Sequence, residues 1–242
     1  MRDFVDYISR ITFRFIKPHT PWLPLGFARF TPWRRFGTAL ELANTRIPYC
    51  DDGMKRDLRK LCNIPRMSTF AIGAIVNEGV SAMKEVEVFV NVGVWHGFTL
   101  LSGMVNNAAK RCIGVDDFSE FGGPRRAFLT RFNTYKRLNH EFHEMHYLDY
   151  FSNVHEGKIG FYLYDGNHSY ENQISALRAA EPFFSESCFI LIDDANYGEV
   201  REAAMDFISS SSHEYRTLLD RTTFCNHHPT FWNGIMILHR ID

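Results

Sequence analysis

From residue 85 onward, short runs rich in Val, Ile and Phe alternate with segments long enough to form helices. This alternation predicts strands joined by crossover helices, and therefore an α/β domain with a mainly parallel sheet and helices on both faces. No helix-length segment separates the last two strands, so we expect the sheet to finish with an antiparallel strand. The predicted strands are Val86–Val92, Cys112–Asp116, Phe142–His146, Gly160–Tyr164, Phe189–Asp193, Tyr215–Leu219 and Gly234–Leu238.

Residues 1–84 have a different character, and we interpret them as a helical and aromatic N-terminal extension to a catalytic domain of residues 85–242. Four prolines interrupt residues 17–35, whereas residues 38–45, 55–62 and 68–82 show helical patterning. Residues 1–66 carry 13 Lys and Arg against 6 Asp and Glu, while the remaining residues carry 14 against 22. Such a charge split favours contact between the extension and an acidic surface. We expect the extension to cover a ligand pocket or to join subunits of a homo-oligomer.

In the first 17 residues, Phe4, Ile8, Ile11 and Phe15 recur at helical spacing. This predicts an amphipathic helix that docks on the body of the protein or across a dimer, with weak adhesion to a membrane surface as the alternative. No stretch of the sequence approaches the roughly 20 apolar residues of a membrane span, so we expect no stable insertion.

Composition narrows the setting and the partners. The five cysteines never form a Cys-x-x-Cys pair, which argues against a zinc ribbon or a disulfide framework and favours a reducing, cytoplasmic location. The net charge is −1 and no basic helix or aromatic RNA-binding motif is present. Nucleic acid is therefore disfavoured as a partner.

The ends of the first two predicted strands carry the pattern of a ligand site, because open parallel sheets bind ligands beyond the carboxyl ends of their strands. The first strand runs into a turn in which Gly93 and Gly97 let the backbone approach a ligand closely. Trp95 stands where a dinucleotide site has its second glycine, so the turn suits a ligand without a pyrophosphate. Asp116, at the end of the second strand, is placed to bind both hydroxyls of a ribose.

Three carboxylates follow the fourth and fifth predicted strands. Asp165 precedes His168 by three residues, and Asp193 and Asp194 are adjacent. Any one of them could cap a helix, but together they repel one another unless a cation or a proton compensates. Hard oxygen ligands of this kind favour magnesium or calcium over zinc. Asp165, Asp193 and Asp194 are therefore candidate metal ligands beside a histidine.

With these motifs, residues 65–240 resemble a class I S-adenosylmethionine-dependent methyltransferase, specifically the macrocin-type and related sugar O-methyltransferases. The segment DGNHSY at 165–170 and the Asp193-Asp194 pair are the specific parts of the likeness. The resemblance implies a Rossmann-like sheet of seven strands, the last antiparallel, and S-adenosyl-L-methionine as cofactor. It further implies that Gly93 and its neighbours hold the methionine portion, that Asp116 binds the ribose and that adenine lies near residues 147–149.

The resemblance also implies roles for the remaining candidates. Asn91 stands where many members have an acidic residue that contacts the cofactor's amino group, and Trp95, Gly97 and Asp165 complete the expected cofactor site. In the metal-dependent members, carboxylates matching Asp165, Asp193 and Asp194 hold a divalent cation.

His168 stands where the macrocin-type enzymes have a histidine base, and with Asp165 it forms the expected catalytic pair. An imidazole can take the proton of a substrate hydroxyl near neutral pH. We therefore expect O-methylation of a hydroxylated small molecule, a sugar or a secondary metabolite, with a divalent cation such as magnesium as a further expected component.

Two alternatives stay open on the sequence: a metal-independent methyltransferase that uses His168 as base, and a non-catalytic binding protein that has kept the fold. The polar and aromatic segment 225–234 is either a substrate-facing loop or a packed turn.

Overall fold

The computed structural model describes residues 4–22, 33–48 and 52–242. Two short strands in the N-terminal part pair antiparallel, and four helices accompany them. Residues 23–32, in the proline-interrupted part of the predicted N-terminal extension, lie outside the described residues. The elements are α1 (Phe4–Ser9), β1 (Thr12–Phe13), α2 (Trp33–Asn44), β2 (Thr45–Arg46), α3 (Asp52–Leu61) and α4 (Phe70–Ala82).

Seven strands then build one sheet in the order β5-β4-β3-β6-β7-β9-β8. β9 runs antiparallel to both β7 and β8, which confirms the predicted Rossmann-like sheet with its antiparallel last strand. The chain moves outward from β3 in one direction and from β6 in the other, so the order reverses between these two strands. The strands are β3 (Glu87–Val92), β4 (Arg111–Val115), β5 (His140–His143), β6 (Lys158–Tyr164), β7 (Phe184–Asp193), β8 (Tyr215–Arg221) and β9 (Ile235–Arg240).

Helices cover both faces of the sheet, because successive residues of its buried strands point to opposite sides. On β3, Phe89 joins a core cluster with α1, α3 and α4, whereas Val88 and Val90 join the core on the other face. The helices that follow the first sheet strand are α5 (Phe98–Met104), α6 (Arg125–Tyr135), α7 (Tyr147–Asn153), α8 (Tyr170–Ala180) and α9 (Gly198–Ser210).

The predicted N-terminal helix is shorter than expected. It ends at Ser9, because Thr12 and Phe13 pair with β2 and the Asn44 side chain binds the backbone of Phe15 and Ile16. Its apolar face docks on the body, where the Phe4 ring lies 4.7 Å from the Phe189 ring.

The third predicted sheet strand is displaced toward the N-terminus. It ends at His143 instead of His146, because the His146 side chain accepts a hydrogen bond from Leu148 N and caps α7.

None of the helices formed by the described residues is long and apolar enough to cross a membrane. Weak surface contact by residues 1–17, cytoplasmic location and assembly into a homo-oligomer stay predictions of the sequence. The boundary at residue 84 also stays a prediction. It separates the sheet from α4, a helix whose buried residues belong to the core on one face of that sheet.

A buried ion pair ties the N-terminal part to the sheet layer. Arg66 Nη2 donates to both carboxylate oxygens of Glu41 at 2.8 Å, and the two side chains are only 5% and 10% exposed. Glu41 Oε2 also accepts the backbone N–H of Phe70 at the start of α4. The Arg66 guanidinium lies 5.5 Å from the centre of the Phe98 ring at the start of α5. One pair thus joins α2, α4 and α5.

Replacing Glu41 by Gln should destabilise the protein by about 3 kcal/mol or more, because it leaves the Arg66 charge buried without its partner. Urea unfolding at neutral pH measures this change. The matched control is Asp57→Asn, which removes the same group from the exposed Lys60–Asp57 pair and should cost less than about 1 kcal/mol. Equal losses in the two variants would contradict a structural role for the buried pair.

Candidate active site

A cleft of about 330 Å³ opens where the strand order reverses, at the carboxyl ends of the central strands. The turns after β3, β4, β5, β6 and β7 line it, together with the segment before α4 and the loop before β9. This is the position at which open α/β sheets bind ligands, and the volume suits a small molecule.

The turn after β3 forms the floor of the cleft. Gly93 has φ +78°, and a Cβ atom at this position would overlap the carbonyl oxygen of Asp165 at the end of β6. Only glycine therefore allows the turn to lie against the neighbouring strand end. Gly97, with φ +96°, precedes α5 directly and completes the turn.

Asp116 holds this turn in place from the end of β4. Its Oδ2 accepts the backbone N–H groups of Val94 at 2.7 Å and Trp95 at 2.8 Å, and its Oδ1 accepts from Phe118 N at 2.7 Å. The carboxylate lines the cleft. Its hydrogen bonds brace the glycine turn, and its assignment to a ribose stays a prediction of the sequence.

Asn91 lies beneath the turn and is fully buried. Its Nδ2 donates to the carbonyl oxygens of Val92 and Gly93, and its Oδ1 accepts from Thr99 Oγ1 at 2.7 Å. Its side chain therefore shapes the turn from behind. Of the six predicted cofactor residues, Gly93, Trp95, Asp116 and Asp165 line the cleft, whereas Asn91 and Gly97 do not.

The predicted catalytic residues, His168 and Asp165, lie close to each other and to Asp194. His168 Nε2 lies 2.9 Å from Asp194 Oδ2 and 4.0 Å from Asp165 Oδ1, and all three residues line the cleft. Asp193 does not line it and is only 2% exposed. The structure therefore brings His168, Asp165 and Asp194 together and places Asp193 behind them.

Burial and like charge dominate the electrostatics of this group. Burial, and after it the charges of Asp193 and Asp194, raise the pKa of Asp165 well above its usual range. Burial, followed by the charge of Asp194, raises the pKa of Asp193 to about 8. Burial alone would lower the pKa of His168, but the hydrogen bond and charge of Asp194 outweigh it and raise that pKa. The charge of Asp194 thus stabilises the protonated form of His168.

The structure does not support the expected metal site. Asp193 Oδ1 and Asp194 Oδ1 are buried without a hydrogen-bond partner, and oxygen is the donor type that magnesium prefers. However, no three His, Cys, Asp or Glu side chains within residues 4–22, 33–48 and 52–242 are arranged to hold a metal ion. The donors fit a divalent cation in type but not in arrangement.

The sequence leaves two interpretations of segment 225–234 open, a substrate-facing loop and a packed turn. Each applies to some of its residues. His227, Trp232 and Asn233 line the cleft. His228 is instead buried, with Nδ1 2.7 Å from Thr230 Oγ1 and Nε2 3.2 Å from the carbonyl oxygen of Thr20.

Asn196, which the sequence analysis did not single out, builds this loop. Its Nδ2 donates to Thr223 Oγ1 at 2.9 Å and to Asn226 Oδ1 at 3.0 Å, and its Oδ1 accepts from Thr223 N. The only signal in the sequence is its position three residues after Asp193, at a strand end.

Backbone strain also concentrates around the cleft. Seven described residues other than glycine have positive φ, and six of them line it. Such conformations cost roughly 1–3 kcal/mol each and cluster at functional sites. The six are Trp95, Phe118, Phe121, Asp194, His227 and Trp232.

Comparisons with known proteins indicate a methyltransferase domain. Residues 90–195 match a family model described as a methyltransferase domain. Comparison with curated proteins gives no significant match. Among solved structures, the chain is similar to an O-methyltransferase from Bacillus cereus in complex with SAH, at 10% identity and a TM-score of 0.58, over 81% of this chain and 93% of that chain. It is also similar to cofactor-bound Rv0187 from MTB, at 11% identity and a TM-score of 0.58, over 91% of this chain and 98% of that one.

At these identities the solved structures show a common fold, while the family match covers the turn after β3, Asp116, Asp165 and Asp194. The antiparallel last strand and the cleft at the reversal of strand order agree with that match. Residues 90–195 therefore match a methyltransferase domain, and the chain shares its Rossmann-like fold with the O-methyltransferase from Bacillus cereus.

Proposed function

We propose that the protein transfers the methyl group of S-adenosylmethionine to a hydroxyl oxygen of a small molecule, with His168 as general base. The observation that carries this proposal is the 2.9 Å contact between His168 Nε2 and Asp194 Oδ2 inside the cleft. The fold shared with an O-methyltransferase from Bacillus cereus also supports it.

The contact to Asp194 suits a base. In the neutral imidazole, Nε2–H donates to Asp194 Oδ2 and Nδ1 carries no proton; Nδ1 is buried and has no hydrogen-bond partner among the described residues. When the acceptor displaces the groups that bury Nδ1, this atom takes the proton of the acceptor hydroxyl while the hydroxyl oxygen attacks the methyl carbon. The electron pair of the broken carbon–sulfur bond goes to the sulfonium sulfur, which leaves S-adenosylhomocysteine. Asp194 orients the ring and stabilises the imidazolium that forms.

The remaining side chains position the two reactants, which supplies much of the rate in a direct displacement. We assign the methionine end of the cofactor to the turn at Gly93 and its ribose to Asp116. Adenine is assigned to the space beside Tyr147, which lines the cleft after β5. Asp165 lies between cofactor and base, since its carbonyl oxygen abuts Gly93 and its Oδ1 is 4.0 Å from His168 Nε2.

Changing Asp116 to Asn should weaken binding of S-adenosylhomocysteine by about 10-fold to 100-fold, because charge-assisted hydrogen bonds to the ribose are lost. Calorimetric titration measures the affinity. Asp206→Asn is the matched control, since the exposed Asp206 side chain on α9 accepts a hydrogen bond from the Tyr170 hydroxyl and does not line the cleft. Unchanged affinity in the Asp116 variant would refute the ribose assignment.

His168→Gln should lower the rate of methyl transfer by about 10²-fold to 10⁴-fold and leave S-adenosylhomocysteine binding intact, because only the base is lost. In Asp194→Asn the pKa of His168 should fall, since the charge that raises it is gone. The base is active when neutral, so the acidic limb of the rate profile should move to lower pH. A limb that stays in place would exclude His168 as the titrating base.

Metal-dependent transfer is a second candidate, favoured by the unpaired oxygens of Asp193 and Asp194. A divalent cation there would lower the pKa of the acceptor hydroxyl. Because the described carboxylates lack the arrangement of a metal site, no step of the proposal depends on one.

We expect methyl transfer to survive extensive dialysis against a chelator, since His168 can remove the proton unaided. The initial rate before and after dialysis, and after addition of magnesium, decides the point. Loss of activity on chelation with recovery in magnesium would favour the metal-dependent candidate.

A further inference from the structure

The charges that line the cleft are strongly unequal. Five carboxyl groups line it, whereas Arg66 is the one arginine or lysine among its described lining residues. Burial, followed by the neighbouring carboxylates, raises the pKa of Asp165, so the negative charge rests mainly on the other four. The charge of Arg66 is already paired with Glu41. Arg125, at the start of α6, pairs with Glu144. The five carboxyl groups are those of Asp116, Asp117, Glu120, Asp165 and Asp194.

The proposed reaction uses some of this negative charge but not all of it. The cofactor carries a sulfonium, an ammonium and a carboxylate, so it brings one net positive charge. Asp116 is assigned to its ribose, and Asp194 is matched by His168. Asp117 and Glu120, on the loop after β4, have no such assignment. Glu120 Oε1 accepts from Asn167 Nδ2 at 2.9 Å, across to the loop that carries His168. A carboxylate therefore stands at the rim of the acceptor side.

The acceptor side is also walled by two pairs of rings. The rings of His168 and Tyr197 are 6.3 Å apart and nearly parallel, and those of His227 and Trp232 are 4.8 Å apart. Asn226 Nδ2 donates to the Tyr197 hydroxyl at 3.1 Å, which joins the two walls. The faces of Tyr197 and Trp232 stack on cyclic compounds and attract cations.

Polar amides complete this side of the cleft. Asn172 and Asn233 both line it. Asn172 Nδ2 donates to Ser169 Oγ and Asn233 Oδ1 accepts from His227 N, so Asn172 Oδ1 and Asn233 Nδ2 are the amide atoms that we assign to a hydroxyl. Rings, amides and the Glu120 carboxylate thus line the cleft around the loop that carries His168.

We propose that this end of the cleft selects a hydroxylated ring compound that is cationic or uncharged, and that it rejects acceptors bearing a phosphate or a carboxylate. The inference rests on the proposed O-methyl transfer and adds the charge class of the acceptor. Anions are rejected because the carboxylates of the rim repel them before they reach His168.

Three pyranoses of matched size test the charge selectivity: glucosamine, methyl glucoside and glucuronate. Each is titrated calorimetrically, at millimolar concentrations, into the full chain saturated with S-adenosylhomocysteine. Affinity should fall in the order ammonium, neutral, carboxylate, with roughly tenfold or more between the first and the last.

Two variants connect the selectivity to named side chains. Glu120→Gln should narrow the gap between glucosamine and glucuronate, because it removes one charge and keeps the shape. Glu186→Gln is the matched control, since Glu186 is exposed in the N-terminal half of β7, away from the cleft. Trp232→Ala should weaken all three pyranoses and leave S-adenosylhomocysteine binding unchanged, and Trp232→Phe should restore much of the loss.

The outcomes distinguish a failure of the proposed charge selectivity from a failure of the proposed methyl transfer. Glucuronate binding as tightly as glucosamine, or no pyranose binding to a protein that binds S-adenosylhomocysteine, would overturn the proposed selectivity. A protein that fails to bind S-adenosylhomocysteine would overturn the methyl transfer itself.

Discussion

The close approach of the turn after β3 to the end of β6 is the constraint on which the site depends. Because residue 93 is glycine, the turn can lie against the Asp165 carbonyl, and both strand ends then face one cleft. Asp116 fixes the turn by accepting the N–H groups of Val94 and Trp95. A larger residue at position 93 would separate the cofactor turn from the strand that carries the base. The turn that we propose binds the cofactor and the loop that carries the proposed base are therefore positioned by one backbone contact.

The same contact brings several carboxyl groups close together, and His168 lies beside them. Asp165 and Asp194 lie close to His168, and the hydrogen bond and charge of Asp194 raise the pKa of His168 against the effect of burial. The His168 ring is thus oriented by one carboxylate, and its neutral form can accept a proton. The charge compensation that folding requires and the base that the reaction requires are thus the same side chain.

The fold could be predicted because parallel strands buried on both faces give continuous apolar runs, as in β3 and β6. The strand-end candidates followed from the rule that carboxyl ends share one edge. What the sequence could not give is orientation. Asp193 is buried while its neighbour Asp194, at φ +58°, lines the cleft, and nothing in the residue types distinguishes them. The hydrogen bonds of Asn196 to a loop about 30 residues away are likewise set by tertiary packing.

Asn196 also shows how the acceptor side is coupled to the catalytic side. Its backbone N–H donates to the carbonyl oxygen of Asn233 at 2.7 Å, and its side chain holds Thr223 and Asn226. Since Asn196 follows Asp194 by two residues, the loop that carries Trp232 is fixed to the segment that orients His168. A displacement of that loop would therefore change the orientation of His168. Acceptor shape and proton removal are set by one short piece of chain, which is why we expect selectivity and rate to change together in this region.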